Sequence, residues 1–156
     1  MWEKLKSGII FNKNPVKILL FSDSSISTMQ KFIQNTNSKC EAGGIILGEV
    51  KGEHIYVTDI SSPKKNDIRK STYFERNDKA HISFYEYRYN QNNCTKYFGE
   101  WHTHYEKQPI PSLTDKREWE KICKMVKGPN IFLIIGTHNI YIEIRWNKKI
   151  SLYSLS

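Results

Sequence analysis

Apolar and polar positions along the chain divide it into short strands and a few amphipathic helices. Val16 to Phe21 is an apolar run of strand length. The serines from Ser22 to Ser27 offer helix caps. A helix follows from about Ser24 to Gln34, with Ile26, Met29 and Phe32 on one face. Asn35 to Ser38 is a loop. Gly43 to Val50 and His54 to Ile60 are two strands folded on the turn Lys51-Gly52-Glu53. Ser61 to Lys70 is polar, basic and carries Pro63, so it reads as a mobile surface loop. Thr72 to Glu75 is a short strand. Asn77 or Asp78 caps a helix to about Asn90 that offers Ile82, Tyr85 and Tyr89 to the core. Thr95 to His104 is another strand. A helix runs from Leu113 to about Lys127 with Trp119, Ile122, Cys123 and Val126 on one face, and Gly128-Pro129 stops it. Ile131 to Gly136 and Ile140 to Trp146 form a hairpin around His138-Asn139, and Ile150 to Leu155 adds an edge strand. The sum is an α/β fold with a mixed, mainly antiparallel sheet flanked by α-helices.

Composition narrows the class. At 156 residues the chain fits one domain, residues 1–156, and 38% hydrophobic with 26% charged residues is ordinary for a globular protein. No apolar run approaches the ~20 residues of a membrane span. The segment Met1 to Asn14 lacks the apolar core and cleavage site of a secretion signal, so a cytoplasmic location is expected. Three cysteines, Cys40, Cys94 and Cys123, are odd in number and widely spaced, which argues against a disulfide framework or a cysteine-based zinc finger. Net charge is +8. The basic residues are scattered, so specific nucleic-acid binding is not expected, while an acidic partner suits the surface.

The candidate chemistry lies in Phe98-Gly99-Glu100-Trp101-His102-Thr103-His104. Side chains alternate along a strand, so His102 and His104 point the same way and can converge on one ion. Catalytic zinc takes three protein ligands and keeps one position open. Asp115 is the third ligand in this reading. Ser112-Leu113-Thr114-Asp115 has a second reading as a capping box ahead of the helix, and the two roles can coexist. Glu100 is a candidate to orient a histidine ring. His54, His81 and His138 are isolated and read as surface or satisfied core residues.

The full pattern resembles the JAB/MPN-type metallopeptidases with their E…H-x-H-x7-S-x2-D motif. Glu41 stands in Glu41-Ala42-Gly43-Gly44-Ile45-Ile46-Leu47-Gly48, which is similar to the family's E-x-G-G-x-L-x-G opening. The string Gly99 to His104, with Trp119 following Asp115, most resembles small bacterial members that accompany E1/E2-like ligases in CBASS anti-phage operons. The family often has proline after the second histidine; here it is Tyr105, which implies an altered loop shape.

The resemblance implies a JAB/MPN, cytidine-deaminase-like sandwich and a Zn2+ cofactor on His102, His104 and Asp115. It implies hydrolysis after the C-terminus of a ubiquitin-like protein or a conjugated CD-NTase-like enzyme, with an E1/E2-like ligase as a possible neighbour. In this scheme zinc acidifies a water, Glu41 is the general base, and Ser112 donates to the oxyanion. The tail's groove is expected between the Ser61–Lys70 loop and the Glu49–His54 hairpin. Processing of a sulfur-carrier or another ubiquitin-like precursor, and a non-catalytic interaction module of the same fold, are alternatives.

Overall fold

A computed structural model describes residues 1–13 and 15–154. Asn14 of the N-terminal segment and Leu155 of the expected edge strand lie outside the described residues. Its frame is an eight-stranded sheet in the order β1 (Ile9–Ile10), β2 (Ile18–Phe21), β4 (His54–Ile60), β3 (Gly43–Lys51), β7 (Lys96–Thr103), β8 (Asn130–Ile135), β9 (Ile140–Trp146), β10 (Lys149–Ser154). Two neighbour pairs, β2 with β4 and β7 with β8, are parallel; the others are antiparallel. The sheet curls until its two ends meet. Phe11 and Tyr153 lie edge to face at 6.4 Å, and Ser151 Oγ donates to the Lys13 carbonyl. The mixed sheet with helices on it is the expected architecture.

Both faces of the middle strands are covered. Ile131, Leu133 and Ile135 of β8 join the main core, where α1 (Trp2–Ser7) contributes Leu5 and α2 (Asp23–Phe32) contributes Ile26 and Met29. Phe132 and Ile134 face the other way, under Trp119 of α4 (Leu113–Met125). Trp119 stacks on Phe132 with centroids 4.7 Å apart. Burial on both faces explains why β8 reads as one apolar run rather than an alternation.

Several elements differ from the sequence expectation. α1 and β1 carry no long periodic signal and were not expected. α2 ends at Phe32, and Gln34 is instead buried, donating to the carbonyls of Lys39 and Ser71. α3 (Ala80–Gln91) turns His81 inward, while Ile82 is 53% exposed and Tyr89 43%. Its first N–H, that of Ala80, donates to the Asp78 carboxylate at 2.8 Å. The segment from Ser61 to Lys70 is not a free surface loop. Ser61 and the Asp67 side chain are buried, and residues 68–70 form β5 (Ile68–Lys70), paired with β6 (Tyr73–Glu75).

Gly43 and Gly44 open β3 where two neighbours press on the backbone. A Cβ at Gly43 would stand 2.7 Å from the Phe74 ring and 2.5 Å from the Trp101 carbonyl. A Cβ at Gly44 would overlap the Ser61 carbonyl and approach its Oγ to 2.5 Å. Because the obstacle at Gly44 is backbone, it cannot swing aside. Gly44→Ala is therefore expected to cost about 2–3 kcal/mol of stability, measured as a lowered midpoint in urea unfolding.

Candidate metal centre

Strand pairing brings the candidate residues together. In the β3–β7 ladder Gly43 faces His102. One step out, Ala42 and Thr103 exchange hydrogen bonds, with Thr103 N donating to the Ala42 carbonyl and Ala42 N to Thr103 Oγ1. The next step sets Glu41 opposite His104. His104 leaves β7 but is still tied to the sheet, its N–H donating to the Ile135 carbonyl at 3.0 Å. Both histidines and Glu41 are buried.

The third member arrives from α4. Ser112 Oγ accepts from Asp115 N at 3.0 Å, and Asp115 Oδ2 accepts from Ser112 N at 2.8 Å, a reciprocal capping box. The same carboxylate reaches both rings. Its Oδ1 lies 3.3 Å from His102 Nε2 and its Oδ2 3.3 Å from His104 Nε2. The two Nε2 atoms are 3.0 Å apart. A tetrahedral zinc with bonds of about 2.0–2.1 Å separates its ligand atoms by roughly 3.3 Å. Two nitrogens 3.0 Å apart and a carboxylate with one oxygen 3.3 Å from each of them come close to that spacing, and Glu41 Oε1 stands 3.9 Å from His104 Nε2.

Residues 29–148 match the family of prokaryotic homologs of the JAB domain. The chain belongs to this family. It is 35% identical to a Pseudomonas aeruginosa protein named CD-NTase/cGAS isopeptidase over 130 residues, 81% of this chain and 82% of that one. An Escherichia coli protein of the same name is 32% identical over 139 residues, covering 84% and 88%. A Vibrio cholerae protein, also of that name, is 32% identical over 115 residues, 72% of each. A Desulfitobacterium hafniense protein solved in solution has the same fold, with a TM-score of 0.59 at 17% identity over 86% of this chain and 89% of that one.

The JAB-domain cluster is strongly coupled electrostatically. Burial pushes the Asp115 carboxyl up, but hydrogen bonds from His102 and His104 outweigh it and hold the group far below the usual carboxylate range. Burial lowers His104, yet the Asp115 hydrogen bond and the Glu41 charge raise it overall. Glu41 is pushed up to about 7, chiefly by burial; the charge of His104 opposes this and those of Asp115 and Glu106 add to it.

One neighbour of the rings was not foreseen. Glu106 Oε1 comes within 3.1 Å of His104 Nδ1, although out of line for a hydrogen bond, so that buried nitrogen lacks one. An acidic residue two positions after a candidate ligand was the available signal. Glu100 does not orient a histidine ring. It accepts from Arg76 Nε at 2.7 Å, a partner distant in sequence. A groove of ≈ 960 Å³ opens from the cluster. Its walls are residues 71–77 on one side and Tyr105, Glu106 and α4 on the other. The Glu49–His54 hairpin is not a wall, because it closes the far end of β3 from Gly43. Ser61 to Lys70 lies behind the wall rather than in it.

Zinc at one hundred times its dissociation constant should stabilise the chain by about 2.7 kcal/mol. Thermal unfolding should register this as a raised Tm that a chelator reverses and that His102→Ala abolishes.

Proposed function

We propose that this chain is a zinc-dependent isopeptidase that hydrolyses the bond after the C-terminus of a conjugated CD-NTase-like enzyme. The convergence of His102 Nε2, His104 Nε2 and Asp115 Oδ1/Oδ2 beside the Glu41 carboxylate, at the floor of an open groove, is the observation that carries it. Relatives over 30% identical across most of their length, named CD-NTase/cGAS isopeptidases, support the substrate class. A single cytoplasmic domain over residues 1–156 acting in CBASS anti-phage defence, in the company of an E1/E2-like ligase, belongs to the same reading.

Zinc, when bound, supplies a Lewis acid that acidifies water and polarises the scissile carbonyl. His102, His104 and Asp115 hold it. Glu41 takes a proton from the attacking water as its oxygen adds to the carbonyl carbon, then delivers a proton to the leaving amine as the C–N bond breaks. A carboxyl raised by burial suits both steps, since it accepts and returns the proton near neutral pH. The Ser112 hydroxyl already accepts from Asp115 N, and its own hydrogen remains free to point at the oxyanion. The groove wall from Ser71 to Asn77 offers an extended edge along which a flexible tail can lie.

Three experiments test these roles. Glu41→Gln should cut kcat at least about a thousandfold with zinc still bound, and chelator-insensitive cleavage would sink the mechanism. In the wild type kcat/KM should fall about tenfold per pH unit on the acid side of Glu41's titration, at or below about 7 because zinc's charge opposes the burial. Its sign follows from the base: a raised carboxyl loses its ionised form as pH drops. For Ser112, glycine keeps most of the cap at a few tenths of a kcal/mol, whereas alanine costs about 1 kcal/mol. Both variants should lose about a hundredfold or more in kcat, so that stability and activity separate in paired unfolding and rate measurements.

A further inference from the structure

Ser61, Asp67 and His81 lie apart from the metal cluster, yet they form one chain of buried polar groups. Ile45 N in β3 donates to Ser61 Oγ at 2.8 Å. That hydroxyl lies 2.6 Å from His81 Nδ1, and His81 Nε2 lies 2.6 Å from Asp67 Oδ2. The side chains of His81 and Asp67 are both 0% exposed. An ionised Asp67 can only accept, which assigns a ring hydrogen to Nε2; in the neutral ring Nδ1 then accepts from the Ser61 hydroxyl. The Asp67 carboxylate then takes four donors. Lys64 N and His81 reach Oδ2, and Asn77 N and Asp78 N reach Oδ1.

These are the residue types of a nucleophilic hydrolase, but the arrangement is that of a clamp. Ser61 is 2% exposed and its carbonyl accepts from Trp101 Nε1 at 2.9 Å, so the residue is locked on both sides. The backbone partners of Asp67 stand at the two feet of the β5–β6 hairpin, Lys64 before it and Asn77 and Asp78 after it. One carboxylate draws the feet together. The hairpin's far side meets the metal cluster's flank. Glu41 N donates to the Lys70 carbonyl and Arg69 Nε to the Glu41 carbonyl, both at 2.8 Å. Phe74 occupies the space in front of Gly43.

We propose that Ser61, Asp67 and His81 are positioning residues that set the β5–β6 hairpin as a fixed wall of the substrate groove. Glu41 itself stays anchored through Ala42, which pairs with Thr103, so the clamp governs substrate binding more than the chemical step. The effect on cleavage rests on the isopeptidase reading; the effect on the wall does not.

The test compares the full-length wild type with Ser61→Ala and Asp67→Asn by hydrogen exchange, zinc content and steady-state cleavage. In both variants the amides of residues 68–75 should exchange at least about tenfold faster, while β8 and β9 keep their protection. Zinc content should not change. KM should rise about tenfold and kcat change less than about threefold. Ser61→Ala, the milder change, carries the test where Asp67→Asn does not fold. Wild-type exchange across residues 68–75 in a folded variant would overturn the proposal. So would labelling of Ser61 by a fluorophosphonate, or a collapse of kcat at unchanged KM. If the wild type cleaves no conjugate, the isopeptidase reading fails, and the exchange comparison still decides the clamp.

Discussion

The pairing of β3 with β7 is the contact on which the site depends. With Gly43 opposite His102, the residues just outside the ladder follow by count, and Glu41 comes to face His104. A slip of one residue would turn the opposite set of side chains to the groove. Both strands are buried, so the slip would also pull Ile46 and Phe98 out of their packing, and the core resists it. Packing thus sets the register, and the register sets the distance between Glu41 and His104, more than sixty residues apart in the chain.

Layers on either side of this pair complete the arrangement. β8 runs parallel to β7 and receives His104 through the Ile135 carbonyl. Its outward residues, Phe132 and Ile134, seat Trp119 and so fix where α4 begins. The start of α4 brings Asp115 to the two rings. On the opposite flank the β5–β6 hairpin covers Gly43, whose bare backbone admits Phe74. The groove is what remains between these two walls.

Local signals in the sequence were readable where hydrophobic periodicity decides the structure. The turn at Gly52, the β3 and β4 strands and the cap of α4 follow from patterns a few residues wide. The H-x-H and S-x-x-D spacings are likewise local. The segment from Ser61 to Lys70 was misread because its buried groups are polar and satisfy one another. Asp67 and His81 leave no apolar periodicity, so their burial resembles solvation in sequence. Glu100 was misassigned for a related reason. Strand alternation predicts which face it takes, but its partner Arg76 comes from a different element. The distance from Glu41 to the rings was equally out of reach, since it is a property of register.

Asp115 closes the cap of α4 and also faces both histidines. Its Oδ2 is held by Ser112 N. For a metal held here, the carboxylate would not have to be recruited from a mobile chain. An ion bound by these three residues would ask for no refolding of the helix. In this respect the cluster would differ from small zinc domains that assemble only around their metal. An ion held there would add stability to a fold already formed, so that occupancy and stability would rise together.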